Sequence, residues 1–127
     1  MPSNDLLHRF LFEDCDVRGE IVTLNDSYRE VLSHNPHVPA IRQLLGEFLA
    51  AVGLLSSTLK FDGRIILQAR GDGPISTIMA ECNNHKNLRG IVRINSEVAL
   101  TEPIALNGNM QDLLGNGVLV ISIEPQR

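Results

Sequence analysis

Apolar and polar positions alternate along much of this chain, and where they stop alternating they recur at helical spacing. Leu6 to Phe12 alternates loosely and reads as a strand, broken by the polar run Glu13 to Asp16. Val17 to Leu24 is a second strand with mixed faces, supported by its β-branched residues. Asn25 or Asp26 is placed to cap a short helix through Leu32, which ends at the loop Ser33 to Val38, where Pro36 excludes helical geometry at the preceding residue. Pro39 suits the first turn of the next helix, on which Ile41, Leu44, Leu45, Phe48, Val52, Leu55 and Leu59 form one stripe. Leu49, Ala50, Ala51 and Leu54 widen that stripe almost all round, which predicts a helix buried between layers. Gly46 and Gly53 would let neighbours approach it closely.

After the helix the period changes to two. Phe61 to Ile75, FDGRIILQARGDGPI, gives a strand from Arg64 to Arg70 and an Asp72-Gly73 turn with positive φ at both residues, behind which a partner strand runs from Ile75 to Cys82. Leu88 to Asn95 is another strand, with Leu88, Gly90, Val92 and Ile94 on one face. Ser96 to Asn107 contains Pro103 and reads as irregular. Asn109 can cap a single helical turn from Met110 to Leu114, Gly115 suits the position past its end, and Val118 to Ile123 is a strongly β-branched final strand. Strands that cluster after a helix, without alternating with helices, predict an α+β fold: a mostly antiparallel sheet packed against one long apolar helix and short helices.

Composition narrows the function. The 127 residues fit one domain, and 43% of them are hydrophobic, enough for a core. With four Phe, one Tyr and no Trp, that core is aliphatic, and stacking platforms for single-stranded nucleic acid are lacking. The net charge of −4 argues against a nucleic-acid partner. No apolar run reaches the roughly 20 residues of a membrane span, and no signal peptide is recognisable, so the expected location is cytoplasmic.

Candidate chemistry is sparse. Gly71-Asp72-Gly73 and Gly115-Asn116-Gly117 lack the spacing and the following helix of a phosphate cradle, and read as turns. His34 and His37 flank Pro36 in a loop, His8 and His85 are isolated, and none has the company a zinc site needs. Cys15 and Cys82 show no activating context. Asp14, Asp16, Asp62 and Asp72 sit where turns favour Asp. Arg64, Arg70, Arg89 and Arg93 fall on adjacent predicted strands and could bind an anion; a solvated sheet face is the plainer account. No catalytic, cofactor-binding or metal-binding residue is expected.

Five segments occur in a recognisable order: LHRFLFEDCDVRGEIVTL at Leu7–Leu24, TLKFDG at Thr58–Gly63 at the end of the apolar helix, QARGDGP at Gln68–Pro74, LRGIVRI at Leu88–Ile94 and LLGNGVLVISI at Leu113–Ile123. Together they resemble the N-terminal part of the redox-regulated 33-kDa heat-shock protein family, over essentially the whole chain. The resemblance implies a cytoplasmic, ATP-independent holdase chaperone that binds unfolding proteins under oxidative stress and dimerises when active. It also implies a C-terminal domain that holds zinc through a Cys-x-Cys and a Cys-x-x-Cys pair. Oxidation there forms disulfides, releases zinc and uncovers an apolar surface on the N-terminal domain. This chain ends at Arg127 without either pair, and Cys15 and Cys82 match neither spacing, so it is expected to be a fragment with zinc only in the missing domain.

The expected function is therefore binding of unfolded clients, with no nucleic acid or membrane, and assembly into a homodimer or higher oligomer through an unpaired sheet edge. Candidates for the apolar client surface are Ile65 and Leu67, Ile75 and Met79, Val92 and Ile94, and Leu119 and Ile121; the long helix must cover one side, with the Ile65, Leu67 and Ala69 face expected to pack on it, so which of them face outward stays open. The alternative is a small enzyme or anion-binding domain using the Gly-rich turns and sheet arginines.

Overall fold

A computed structural model describes residues 6–12, 17–23, 28–29, 38–57, 62–83 and 87–125, the first two segments as backbone only. Strands β1 (Leu6–Phe12) and β2 (Val17–Thr23) form an antiparallel pair, Leu6 opposite Thr23 and Phe12 opposite Val17. Tyr28 and Arg29 are helical; the rest of the short helix expected there lies outside the described residues. Helix α1 (Pro39–Ser56) follows, then β3 (Gly63–Gly71), β4 (Ile75–Asn83), β5 (Leu88–Ile94), the short helices α2 (Glu102–Asn107) and α3 (Met110–Leu114), and β6 (Gly117–Pro125). The last four strands form one antiparallel sheet in the order β5-β4-β3-β6. This is the α+β arrangement expected from the sequence.

Helix α1 begins with Pro39 in its first turn, where no N–H is missed. It buries Ile41, Leu44, Leu45, Phe48, Leu49 and Val52 against the inner face of the sheet, which offers Ile65, Leu67, Ala69, Ile78, Ala80, Cys82 and Val92. The burial is one-sided, since Arg42, Gln43 and Glu47 remain exposed. Gly46 lies under Tyr28: a Cβ there would sit 3.0 Å from the ring, and the Tyr28 hydroxyl donates to the Arg42 carbonyl at 2.9 Å. Leu59 lies past the end of the helix, outside the described residues.

Strand β4 departs from simple alternation. A register irregularity between Ile75 and Thr77 puts both Ile75 and Ile78 on the inner face, three residues apart, and turns Met79 outward. Strict alternation would have kept Ile75 and Met79 together. The region expected to be irregular contains α2, whose Pro103 stands in the first turn, where proline is tolerated.

The two glycine turns, far apart in sequence, dock on one another. The Asn116 N–H donates to Asp72 Oδ1 at 2.8 Å, the Asp72 N–H to the Asn116 carbonyl at 3.2 Å, and the Gly73 N–H to the Leu114 carbonyl at 2.9 Å. Gly115 has the φ of +67° that favours glycine. Gly73 does not have positive φ, which corrects the turn geometry expected for it. It is needed for space instead, because a Cβ there would lie 2.6 Å from the Leu113 carbonyl oxygen. A Cβ on Gly71 would collide with the Leu114 carbonyl, and one on Gly117 with the Arg70 carbonyl. Helix α3 is anchored beside this junction by a reciprocal cap: the Asp112 N–H donates to Asn109 Oδ1 at 2.8 Å and the Asn109 N–H to Asp112 Oδ2 at 3.1 Å.

At the other end of the sheet, Arg64 ties three strands together on the outer face. Its Nη1 donates to Glu81 Oε1 on β4 and its Nε to Glu124 Oε2 on β6, both at 2.6 Å. These two carboxylates raise the guanidinium pKa further, the hydrogen bond that Arg64 donates to Glu124 contributing most. Strand β6 is thus held at both ends, by interlocked backbone at one and an ionic bridge at the other.

Two substitutions separate these anchors. Gly71→Ala should cost about 2–3 kcal/mol in chemical denaturation, since neither backbone at the junction can retreat freely. Arg64→Ala should lower the denaturation midpoint by less, and only at low salt, because exposed ion pairs are screened. A loss that persists undiminished in molar salt would show that Arg64 acts through packing instead.

Candidate functional site

The eight residues expected to form an apolar binding surface separate into two groups. Ile65, Leu67, Ile75 and Val92 are buried beneath α1, so the expectation of a surface is corrected at these four. On β3 and β5 the alternation is real, but its apolar face is the one the helix covers; on β4 the bulge brings Ile75 into that same layer. Met79 is half-buried on the opposite, outer face. Ile94 lies exposed at the end of β5, on the far side of the sheet from β6. Leu119 and Ile121 stand side by side on β6.

Strand β6 carries an apolar surface larger than those two residues. Leu119, Ile121 and Ile123 pair with Ala69, Leu67 and Ile65, which fixes them on the inner face, yet they are 52%, 53% and 56% exposed. Helix α1 packs chiefly on β4, β3 and β5, which leaves these side chains about half exposed. On the outer face of β6, Val118 and Val120 are exposed as well. The sequence carried a signal for this, because Val118 to Ile123 is apolar at both parities. Such a run suits a strand covered on both faces, and here neither face is covered by described residues. An open groove of about 380 Å³ continues the patch past Leu119 to Met110 and Leu114 on α3.

In register, β6 is hydrogen-bonded to β3 along one side, and no described strand pairs with its other side. An exposed, nine-residue, apolar edge is what most sheets avoid, by charge, bulges or cover. Five large apolar side chains on one such strand exceed the scattered exposure of ordinary surfaces.

The other candidates resolve into structural roles. Both glycine turns are consumed by their mutual docking. Arg64 is engaged by two carboxylates and is not available to an anion. Arg70, Arg89 and Arg93 are exposed on the outer face. The Cys82 thiol is buried, 3.3 Å from the Ser56 hydroxyl oxygen and 3.2 Å from the Asn83 carbonyl oxygen, in the setting of a small core residue. Cys15, His34, His37 and His85 lie outside the described residues. Among the described residues no cluster of three His, Cys, Asp or Glu side chains could hold a metal ion. Among them, too, no helix is long and apolar enough to cross a membrane.

Comparison with known proteins agrees with the ordered segments. The chain is 48% identical over 124 residues to a 33 kDa chaperonin of Ectopseudomonas mendocina, covering 98% of this chain and 40% of that protein. It is 46% identical over 127 residues to a 33 kDa chaperonin of Azotobacter vinelandii, covering 100% of this chain and 41% of that one. With a 33 kDa chaperonin of Serratia proteamaculans the identity is 43% over 125 residues, 98% of this chain and 41% of the relative. The chain therefore spans about 40% of the length of these relatives. A family model described as Hsp33 protein matches residues 5–127, and the chain belongs to that family.

Proposed function

We propose that this chain is the client-binding part of an ATP-independent holdase chaperone, which captures unfolding proteins on an apolar surface and limits their aggregation. The observation that carries the reading is β6, which among the described residues is an edge strand with exposed apolar side chains on both faces. An unfolding protein exposes apolar side chains and unpaired backbone together, and an apolar edge strand offers a partner to both. The names of the relatives support a chaperone role. The rival reading, a small enzyme or anion-binding domain, loses its glycine turns to the junction and one of its four arginines, Arg64, to the carboxylate bridge.

In this reading the protein works in the cytoplasm under oxidative stress. Regulation rests on the zinc-binding cysteine pairs of the family's C-terminal domain, and this segment supplies the surface they control. The same edge serves self-association, with β6 of one copy paired to β6 of another, so the active form is a dimer or higher oligomer.

Light scattering from a thermally unfolding client tests the function. The chain should suppress aggregation, and Leu119→Thr with Ile121→Thr should remove at least half of that suppression. Threonine keeps strand propensity, so stability should change by only about 1 kcal/mol. Ile78→Ala, in the core, should do the reverse: it should cost about 2–4 kcal/mol in stability and leave suppression intact while the domain stays folded. Absence of suppression by the unsubstituted chain would sink the proposal. Sedimentation should show a dimer or larger species that dissociates in the Leu119→Thr, Ile121→Thr variant; a clean monomer at high concentration would overturn the self-association.

A further inference from the structure

The outer face of the sheet has a charge opposite to that of the chain. The strand register arranges it in cross-strand rows. Arg93, Thr77, Arg70 and Val118 form one row; Ile91, Met79, Gln68 and Val120 form the next; Arg89 opens a third, opposite Glu81. The row led by Ile91 is thus flanked by a cationic row on one side and on the other by Arg89, whose cross-strand neighbour Glu81 is held by Arg64. Counting the outward positions of all four strands, four arginines stand against two glutamates, although the chain as a whole carries −4. Both glutamates are already bound to Arg64. Among the described residues, that leaves Arg70, Arg89 and Arg93 facing solvent beside Ile91, itself 38% exposed.

We infer that this face selects extended polypeptide segments in which carboxylates flank an apolar side chain. The match is one of spacing as well as sign. Arg89, Ile91 and Arg93 succeed one another on one face of β5, so the two guanidinium groups spring from points about 13 Å apart with an apolar side chain midway. An extended segment with acidic residues at i and i+4 and an apolar residue at i+2 has the same repeat. Arg70 and Arg93, two strands apart, set a second cationic boundary across the sheet, roughly 10 Å wide. Exposed charges of this kind act chiefly on choice of partner and rate of encounter, while the apolar row supplies burial. The inference rests on the proposed client binding and names the class of client segment this face prefers.

The test uses the full chain and labelled peptides with one apolar core flanked by Glu, Gln or Lys, followed by fluorescence anisotropy. At low salt the order of affinity should be Glu, Gln, Lys, with the extremes about tenfold apart, the scale of two or three exposed ion pairs. Half-molar salt should collapse the difference. Arg70→Glu with Arg93→Glu should reverse the order, and Arg70→Gln with Arg93→Gln should level it; both positions are exposed, and an unchanged denaturation midpoint shows the fold intact. Equal binding of the three peptides, or an order unmoved by the variants, overturns this inference and leaves the client-binding proposal standing. Failure of every peptide to bind overturns both. Preference for anionic phospholipid vesicles over the Glu-flanked peptide overturns it in favour of a lipid surface.

Discussion

One helix has to cover a four-stranded sheet, and it is too narrow to do so. An α-helix with its side chains is about 10 Å across, and strands lie about 4.8 Å apart, so a single helix shields two strands fully and a third in part. Helix α1 packs on β4 with β3 and β5 to either side. The side chains that meet there, Ile78, Ala80 and Cys82 on β4 and Leu44, Leu45, Phe48, Leu49 and Val52 on α1, are all buried in one apolar cluster. Strand β6, fourth in order, is left outside the helix's reach, and the exposure of its inner face follows from this width.

An apolar strand left uncovered by described residues would be expected to fray or collapse, yet β6 is held in place by interactions that do not use its apolar side chains. The glycine junction fixes one end through backbone hydrogen bonds at positions where a Cβ would collide. Arg64 fixes the other through Glu124. Between them the strand stays paired to β3 over its whole length. Its five large apolar side chains are about half exposed, and completing their burial would be worth roughly 1 kcal/mol each, about 5 kcal/mol in all. That free energy is available to a partner and is not dissipated in ordering the strand first. A preformed edge is therefore a stronger binding element than a flexible one of equal apolar area.

Much of this was legible in the sequence because it depends on local rules. The two-residue period placed β3 and β5 within a residue or two, Asn109 announced the cap of α3, and Pro39 marked the start of α1. What failed depended on contacts between distant segments. Gly73 was read as a positive-φ residue, but its glycine is dictated by the carbonyl of Leu113, forty residues away. Met79 was placed with Ile75 because alternation cannot show a bulge. Ile65, Leu67 and Val92 were offered as surface because an apolar strand face looks the same whether a helix covers it or not. The one local clue to the uncovered strand was the apolar residues at both parities from Val118 to Ile123, and it becomes informative only once the strand order puts β6 at the edge.

The two exposed surfaces make different physical demands on a partner. The inner face of β6 presents Leu119, Ile121 and Ile123 with no charged neighbour on that face of the strand, so any apolar segment gains by covering it. Burial of this kind is non-directional and discriminates weakly. The outer face sets arginines beside its apolar row, and their hydration must be displaced or matched, which a segment with carboxylates at the right repeat does. A protein that must hold many unfolding chains benefits from both: a permissive edge that provides affinity and a charged face that biases which segments dock first. Because the two meet at Val118 and Val120, one extended segment could run from the cationic rows onto the edge strand, so selection and capture would be successive contacts along a single continuous surface.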